Sequence, residues 1–147
     1  MTNTSSDLKK IISLSKTMLE DLHVNKSPFS LYQPVNYLLQ TGGKNIRALL
    51  VLLTYGLFQN QLKNVKPLVL AIESLHTFTL IHDDIMDNAS LRRGVKTINI
   101  KWSANQAILS GDVLLIQAFN HLFKVGIDLN IVEYFTKTAT QICEGQQ

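Results

Sequence analysis

The sequence predicts an all-α protein, and three observations lead to that prediction. Apolar residues recur at three- and four-residue spacing through most of the chain. Proline and glycine punctuation falls between these segments. No stretch alternates convincingly as a strand.

Each element follows in order. Ser5 or Ser6 is a candidate cap for a helix over 5–23, where Leu8, Ile11, Ile12, Ser15, Leu19 and Leu22 lie near helical spacing. Ser27-Pro28 reads as the cap and first turn of a second helix ending near Gln40. Thr41-Gly42-Gly43 is a break. A strongly apolar helix over 45–58 should be buried on most sides. Polar residues 60–66 connect it to a long helix opened by Pro67 and running to about Asn88. Periodicity lapses over 89–100, which predicts a loop. Two more helices are expected over 104–125 and from Asp128 to the C-terminus. The last one carries Ile131, Val132, Phe135, Ala139 and Ile142, which require a partner surface. Glu144-Gly145-Gln146-Gln147 ends it without a cap or polar tail, the expectation for part of something longer or for a chain that borrows a partner.

Bulk properties narrow the function. At 147 residues and 46% apolar content the chain suits one globular unit with a real core. Its net charge of +3 is spread over scattered cations, which is no nucleic-acid footprint. The single cysteine, Cys143, excludes an internal disulfide and fits a reducing compartment. Residues 1–10 are polar and lack a signal core, and the longest apolar run, 48–58, is too short for a transmembrane segment. A soluble, cytoplasmic protein is the expectation.

Asp83-Asp84-Ile85-Met86-Asp87 is the most informative run. At about 100° per residue the three aspartates share one arc of a helix, with Glu73 and His76 on the same stripe. No Lys or Arg stands three or four residues away to relieve them. Anions near a helix C-terminus also oppose the macrodipole. A solvated acidic face is the ordinary explanation for such a triplet; a missing hard cation is the sharper one. Basic clusters flank the run. Gly42-Gly43-Lys44, with Arg47 beyond it, sits at a helix start, where free amides favour anions, although Gly-Gly is also a plain turn signal. Arg92-Arg93-Gly94 follows the acidic helix, and paired guanidiniums suit phosphate oxygens. Gly111-Asp112 lies inside the next helix, with Asp112 open to reading as a buried partner to a base. His82 falls on another face and reads as structural, while Trp102 and Cys143 read as packing residues. Three monodentate aspartates match Mg²⁺, which takes its remaining ligands from substrate phosphates.

Together these residues resemble the trans-type isoprenyl diphosphate synthases, the polyprenyl synthetase family. Leu80-Ile81-His82-Asp83-Asp84-Ile85-Met86-Asp87-Asn88 resembles its first aspartate-rich motif, and Leu91-Arg92-Arg93-Gly94 its following arginine pair. Gly42-Gly43-Lys44-Asn45-Ile46-Arg47 resembles its glycine-lysine-arginine motif, and Glu73-Ser74-Leu75-His76 its Glu-x-x-His stretch. Leu109-Ser110-Gly111-Asp112 and Gly145-Gln146 also fit, all in family order.

The resemblance implies the N-terminal half of an antiparallel helix bundle of the isoprenoid synthase type, so that 1–147 would be a single incomplete domain. It implies a Mg²⁺-dependent prenyltransferase that condenses isopentenyl diphosphate with an allylic diphosphate. Asp83, Asp84 and Asp87 would hold Mg²⁺ against the allylic diphosphate, with Arg92 on the same group. Lys44, Arg47, His76 and Arg93 would bind isopentenyl diphosphate. Phe78, five residues before the first aspartate, and Thr79 would form a floor that stops growth at a farnesyl- or geranylgeranyl-sized product; if Phe78 turns away, the product is longer. Members are commonly homodimers. Asn45 stands where the family usually has Arg, and Ala48 where it usually has Pro. The second aspartate-rich motif and the Lys-Thr motif are absent, which implies a chain inactive by itself. The alternative is a truncated, non-catalytic partner subunit of a synthase. A terpene cyclase shares the aspartates but has no use for a second diphosphate site.

Overall fold

A computed structural model describes residues 4–124, 126 and 128–146, with side chains placed from Asp7 onward. Its helices are α1 (Thr4–Leu19), α2 (Phe29–Gln40), α3 (Ile46–Gly56), α4 (Lys66–Met86), a short α5 (Ile98–Lys101), α6 (Ala104–Phe123) and α7 (Leu129–Glu144). Single 3₁₀ turns at Glu20–Leu22 and Leu62–Val65 extend α1 and lead into α4. Ser5 and Ser6 lie within α1 rather than before it, and Val125 and Gln147 fall outside the described residues.

The central pair is α4 against α6, which pack along most of their lengths. Small residues at the seam let the two backbones approach: Ala71 and Ser74 on α4, Ala107, Ser110 and Ala118 on α6, all fully buried. Larger side chains fill in on either side. Val35, Leu38, Ile81, Ile98 and Leu114 form one cluster near the aspartates; Leu75, Leu122 and Phe135 join α7 to the pair at the other end. A third cluster, Met18, Leu52, Val65 and Val69, seats α1 and α3 against α4.

Local chemistry explains the boundaries. Ser103 caps α6 by accepting from the Gln106 amide at 3.1 Å, and Asp128 caps α7 through Asn130 at 3.0 Å. Beyond the C-cap Asp87, Asn88 takes φ 50°, a left-handed stop for α4. Pro34 breaks the expectation that proline only separates segments, since it lies inside α2. Its ring removes the amide that would bond the Ser30 carbonyl. α6 supplies the replacement: Gln106 Nε2 donates to that carbonyl at 2.7 Å, and Ser110 Oγ to the Leu31 carbonyl at 3.0 Å.

Further sequence expectations need correction. The loop over 89–100 contains an antiparallel hairpin, β1 (Leu91–Arg92) with β2 (Val95–Lys96), followed by α5. Arg93 and Gly94 take φ 54° and 80°, the paired left-handed residues of a tight two-residue turn. Strands of two residues are too short to show alternation. α3 is not buried on most sides: Ala48 and Leu52 are buried, whereas Ile46, Leu50, Leu53 and Leu57 form an exposed stripe. One face of α3 meets α1 and α4, and no described residue covers the other. Asp112 and Cys143 are exposed rather than packed.

Candidate functional site

The site begins where α3 starts. Gly42 at φ 68° and Asn45 at φ 48° turn the chain sharply, so Lys44 and Arg47 stand exposed beside the first turn of the helix. The hairpin brings Arg93 to the same place. Its guanidinium lies against Gly43 so closely that an added Cβ there would sit 2.9 Å from Nη1. A side chain at this position would push the flexible end of Arg93 aside. α4 contributes Glu73 and His76 from beneath. Gly43, Lys44, Asn45, Ile46, Arg47, Glu73, His76 and Arg93 line one cavity of about 460 Å³. The predicted set Lys44, Arg47, His76 and Arg93 therefore converges.

His76 is neutral in this setting. Burial first, then the charges of Arg47, Arg93 and Arg92, lower its pKa from 6.5 to about 4. Arg47 Nη1 lies 3.1 Å from His76 Nε2. Since guanidinium only donates, that nitrogen accepts, and Nδ1 carries the proton. The folded pKa lies below the unfolded one, so the contribution to stability is present above pH 6.5 and is lost as pH falls towards about 4. His121, also lowered, acts with the same sign, and Glu73, raised by burial, with the opposite one. Chemical denaturation at stepped pH should therefore show a shallower acid-side loss in His76→Gln than in the parent; parallel curves would refute the assignment.

At the far end of α4 the aspartates separate into two roles. Asp84 is buried, and Arg92 reaches back from the hairpin to hold it, with Nε 2.9 Å from both carboxylate oxygens and Nη2 2.9 Å from Oδ1. The cation that seemed missing near the triplet is therefore supplied to Asp84 by a residue eight positions along. Asp83 is half-buried and Asp87 exposed. Desolvation, then the neighbouring Asp87 and Asp84 carboxylates, push the Asp83 pKa above its ordinary value, against a pull from Arg92. Carboxylates crowded in this way suit a divalent cation, although no group of three His, Cys, Asp or Glu is poised to hold one among the described residues.

A larger cavity of about 740 Å³ runs between α4 and α7. Arg47, His76 and Asp83 give it polar edges, while Leu68, Ile72, Leu75, Ile131, Phe135 and Ile142 form apolar walls. The α7 residues Tyr134 and Thr138 also line it and carried no functional signal in the sequence. Thr79 faces this space. Phe78 does not: it lines an adjoining cavity of about 210 Å³ with Thr79, His82, Asp83 and Cys143. Its ring meets His82 edge-on, centroids 4.5 Å apart. His82 is held in turn by the Ile108 carbonyl at 3.3 Å and packs so tightly on Gly111 that a Cβ there would strike the ring. Asp112 lies 3.7 Å from His82 Nε2.

Fold and site together define an all-α bundle that gathers cations at a helix start beside a row of carboxylates and an apolar cavity. The chain belongs to the polyprenyl synthetase family, whose model matches residues 28–147. It is 38% identical over 144 residues to a geranylgeranyl diphosphate synthase of Methanosarcina mazei, covering 95% of this chain and 44% of that protein. A short chain isoprenyl diphosphate synthase of Methanocaldococcus jannaschii is 38% identical over 119 residues, 79% of this chain and 36% of that one. The solved geranylgeranyl pyrophosphate synthetase of Geoglobus acetivorans superposes with a TM-score of 0.88 at 34% identity, over 95% of this chain and 47% of that chain. The chain thus spans less than half the length of these relatives. Among the described residues, no helix is long and apolar enough to cross a membrane.

Proposed function

We propose that this chain forms the isopentenyl-diphosphate and first carboxylate side of a short-chain isoprenyl diphosphate synthase. One observation carries the reading: Lys44, Arg47, His76 and Arg93, distant in sequence, meet in one cavity, and Arg47 and His76 also edge the apolar cavity that Asp83 borders. Two anion sites flanking a greasy space suit two diphosphates whose hydrocarbon parts meet between them.

The chain's own residues divide the work. Lys44, Arg47 and Arg93 take the diphosphate of isopentenyl diphosphate, and the Nδ1–H of neutral His76 is a further donor. Asp83 and Asp87, with Asp84 held behind them by Arg92, would hold Mg²⁺, which when bound would supply charge neutralisation for the departing allylic diphosphate. Arg92 holds the Asp84 carboxylate fixed in the row. Leu75, Ile72 and Phe135 keep water from the allylic cation while the double bond attacks it. Proton loss to the departing diphosphate completes the condensation. Catalysis is positioning and electrostatics, with no covalent enzyme intermediate.

Thr79 and Phe78 bound the space available to the growing chain, and relatives named for geranylgeranyl products support a short one. Turnover belongs to the assembled synthase, because these residues wall the large cavity only from the α3, α4 and α7 sides. The exposed Leu109, Ile116 and Phe123 on α6 suit a second copy of the complete protein.

Calorimetric titration of this chain with isopentenyl diphosphate tests the pocket. Arg47→Ala should weaken binding by about tenfold or more, the value of one charge-assisted contact. Equal affinity in parent and variant would refute the assignment.

A further inference from the structure

Glu73 and Asp84 are the buried carboxylates among the described residues. Asp84 is matched by Arg92, but Glu73 has no ion-pair partner within 4.0 Å among those residues. Its contact is with main chain: Oε1 accepts from the Ala48 amide at 3.0 Å. Ala48 is fully buried and is the third residue of α3, one of the first-turn positions whose amide has no acceptor within the helix. The ordinary solution is a capping side chain just before the helix. Asn45 occupies that place in the left-handed region, and its side chain makes no capping bond. A residue from another helix has taken over the role.

The location adds a second consequence. Glu73 lines the same cavity as Lys44, Arg47, His76 and Arg93. A carboxylate under a pocket for anions opposes the ligand, yet it also complements the positive end of α3. Burial raises its pKa, while the Ala48 amide and the charges of Arg47 and Arg93 favour the ionised form.

We propose that Glu73 is a positioning residue with two separable effects: its hydrogen bond to Ala48 fixes the start of α3 and hence Arg47 and Lys44, and its charge tempers the pocket so that diphosphate is released as well as bound. The proposal deepens the reading of this cavity as a diphosphate site and rests on it.

The two effects part in two variants. Glu73→Gln keeps the acceptor and the volume but removes the charge; Glu73→Leu removes both. Calorimetry with inorganic diphosphate and amide exchange at Ala48 by NMR read them separately. Glu73→Gln should bind diphosphate roughly three- to tenfold more tightly, with Ala48 exchange as slow as in the parent. Glu73→Leu should speed Ala48 exchange about tenfold or more and bind diphosphate more weakly than Glu73→Gln does. If Glu73→Leu does not fold, Glu73→Ala takes its place, with the same outcomes expected. Affinity in Glu73→Gln equal to or below the parent's would overturn the charge effect. Unchanged Ala48 exchange in Glu73→Leu or Glu73→Ala would overturn the anchor. A parent chain that binds no diphosphate would sink the site reading itself, while the exchange experiment would still decide the anchor.

Discussion

Arg92→Ala should cost the fold about 3–5 kcal/mol, because it strands the Asp84 carboxylate in the interior. The Asp84 side chain is only 4% exposed and that of Arg92 25%, so solvent cannot take over the guanidinium's role. The geometry is bidentate, with every contact at 2.9 Å, unlike the exposed Lys10–Asp7 pair, which contributes little. A loss of that size is a large share of the roughly 5–15 kcal/mol that holds a typical domain together. Urea unfolding would measure it, and combining the change with Asp84→Asn should restore part of the loss by removing the orphan charge. A deficit below about 0.5 kcal/mol would place the pair with ordinary surface contacts.

Asp83→Ala should have the largest effect on chemistry. In the complete synthase, incorporation of labelled isopentenyl diphosphate should fall by on the order of a thousandfold, since a metal clamp on the leaving diphosphate lowers the barrier by several kcal/mol. Stability should change little or improve, because Asp83 is crowded by Asp87 and Asp84. Mg²⁺ titration followed by calorimetry gives an independent readout, with weaker binding expected in the variant. Parental turnover with parental Mg²⁺ affinity would remove Asp83 from the metal role.

Much of the helical framework was readable because its signals are local. Asp128 and Pro67 lie within a residue of where α7 and α4 begin, and Gly42-Gly43 falls in the break between α2 and α3. The convergence of Lys44, Arg47, His76 and Arg93 followed from motif order and resemblance, since spacing alone says nothing about a meeting between three elements. What escaped was tertiary. The wheel that placed three aspartates on one arc could not show Arg92 folding back on Asp84, because the chain leaves the helix at the left-handed Asn88 between them. Glu73 was visible on the stripe, but its role depends on a backbone amide of another helix, which no side-chain pattern encodes. Apolar composition made α3 look buried all round; composition counts greasy residues and cannot say which face meets a neighbour.

The proline inside α2 has a consequence for alignment. Two helices joined only by oily side chains have several near-equal ways to lie along one another, differing by a slide of one turn. The Ser30 and Leu31 carbonyls, answered by Gln106 and Ser110, act as a two-toothed key that fits a single setting. Slipping α6 by one residue, about 1.5 Å, would leave both teeth unmatched. That setting also decides which α6 residue lies beneath the His82 ring, and only Gly111 leaves it room. The carbonyl that Pro34 leaves without its helical donor thus bears, two helices away, on the seat of the residue next to Asp83.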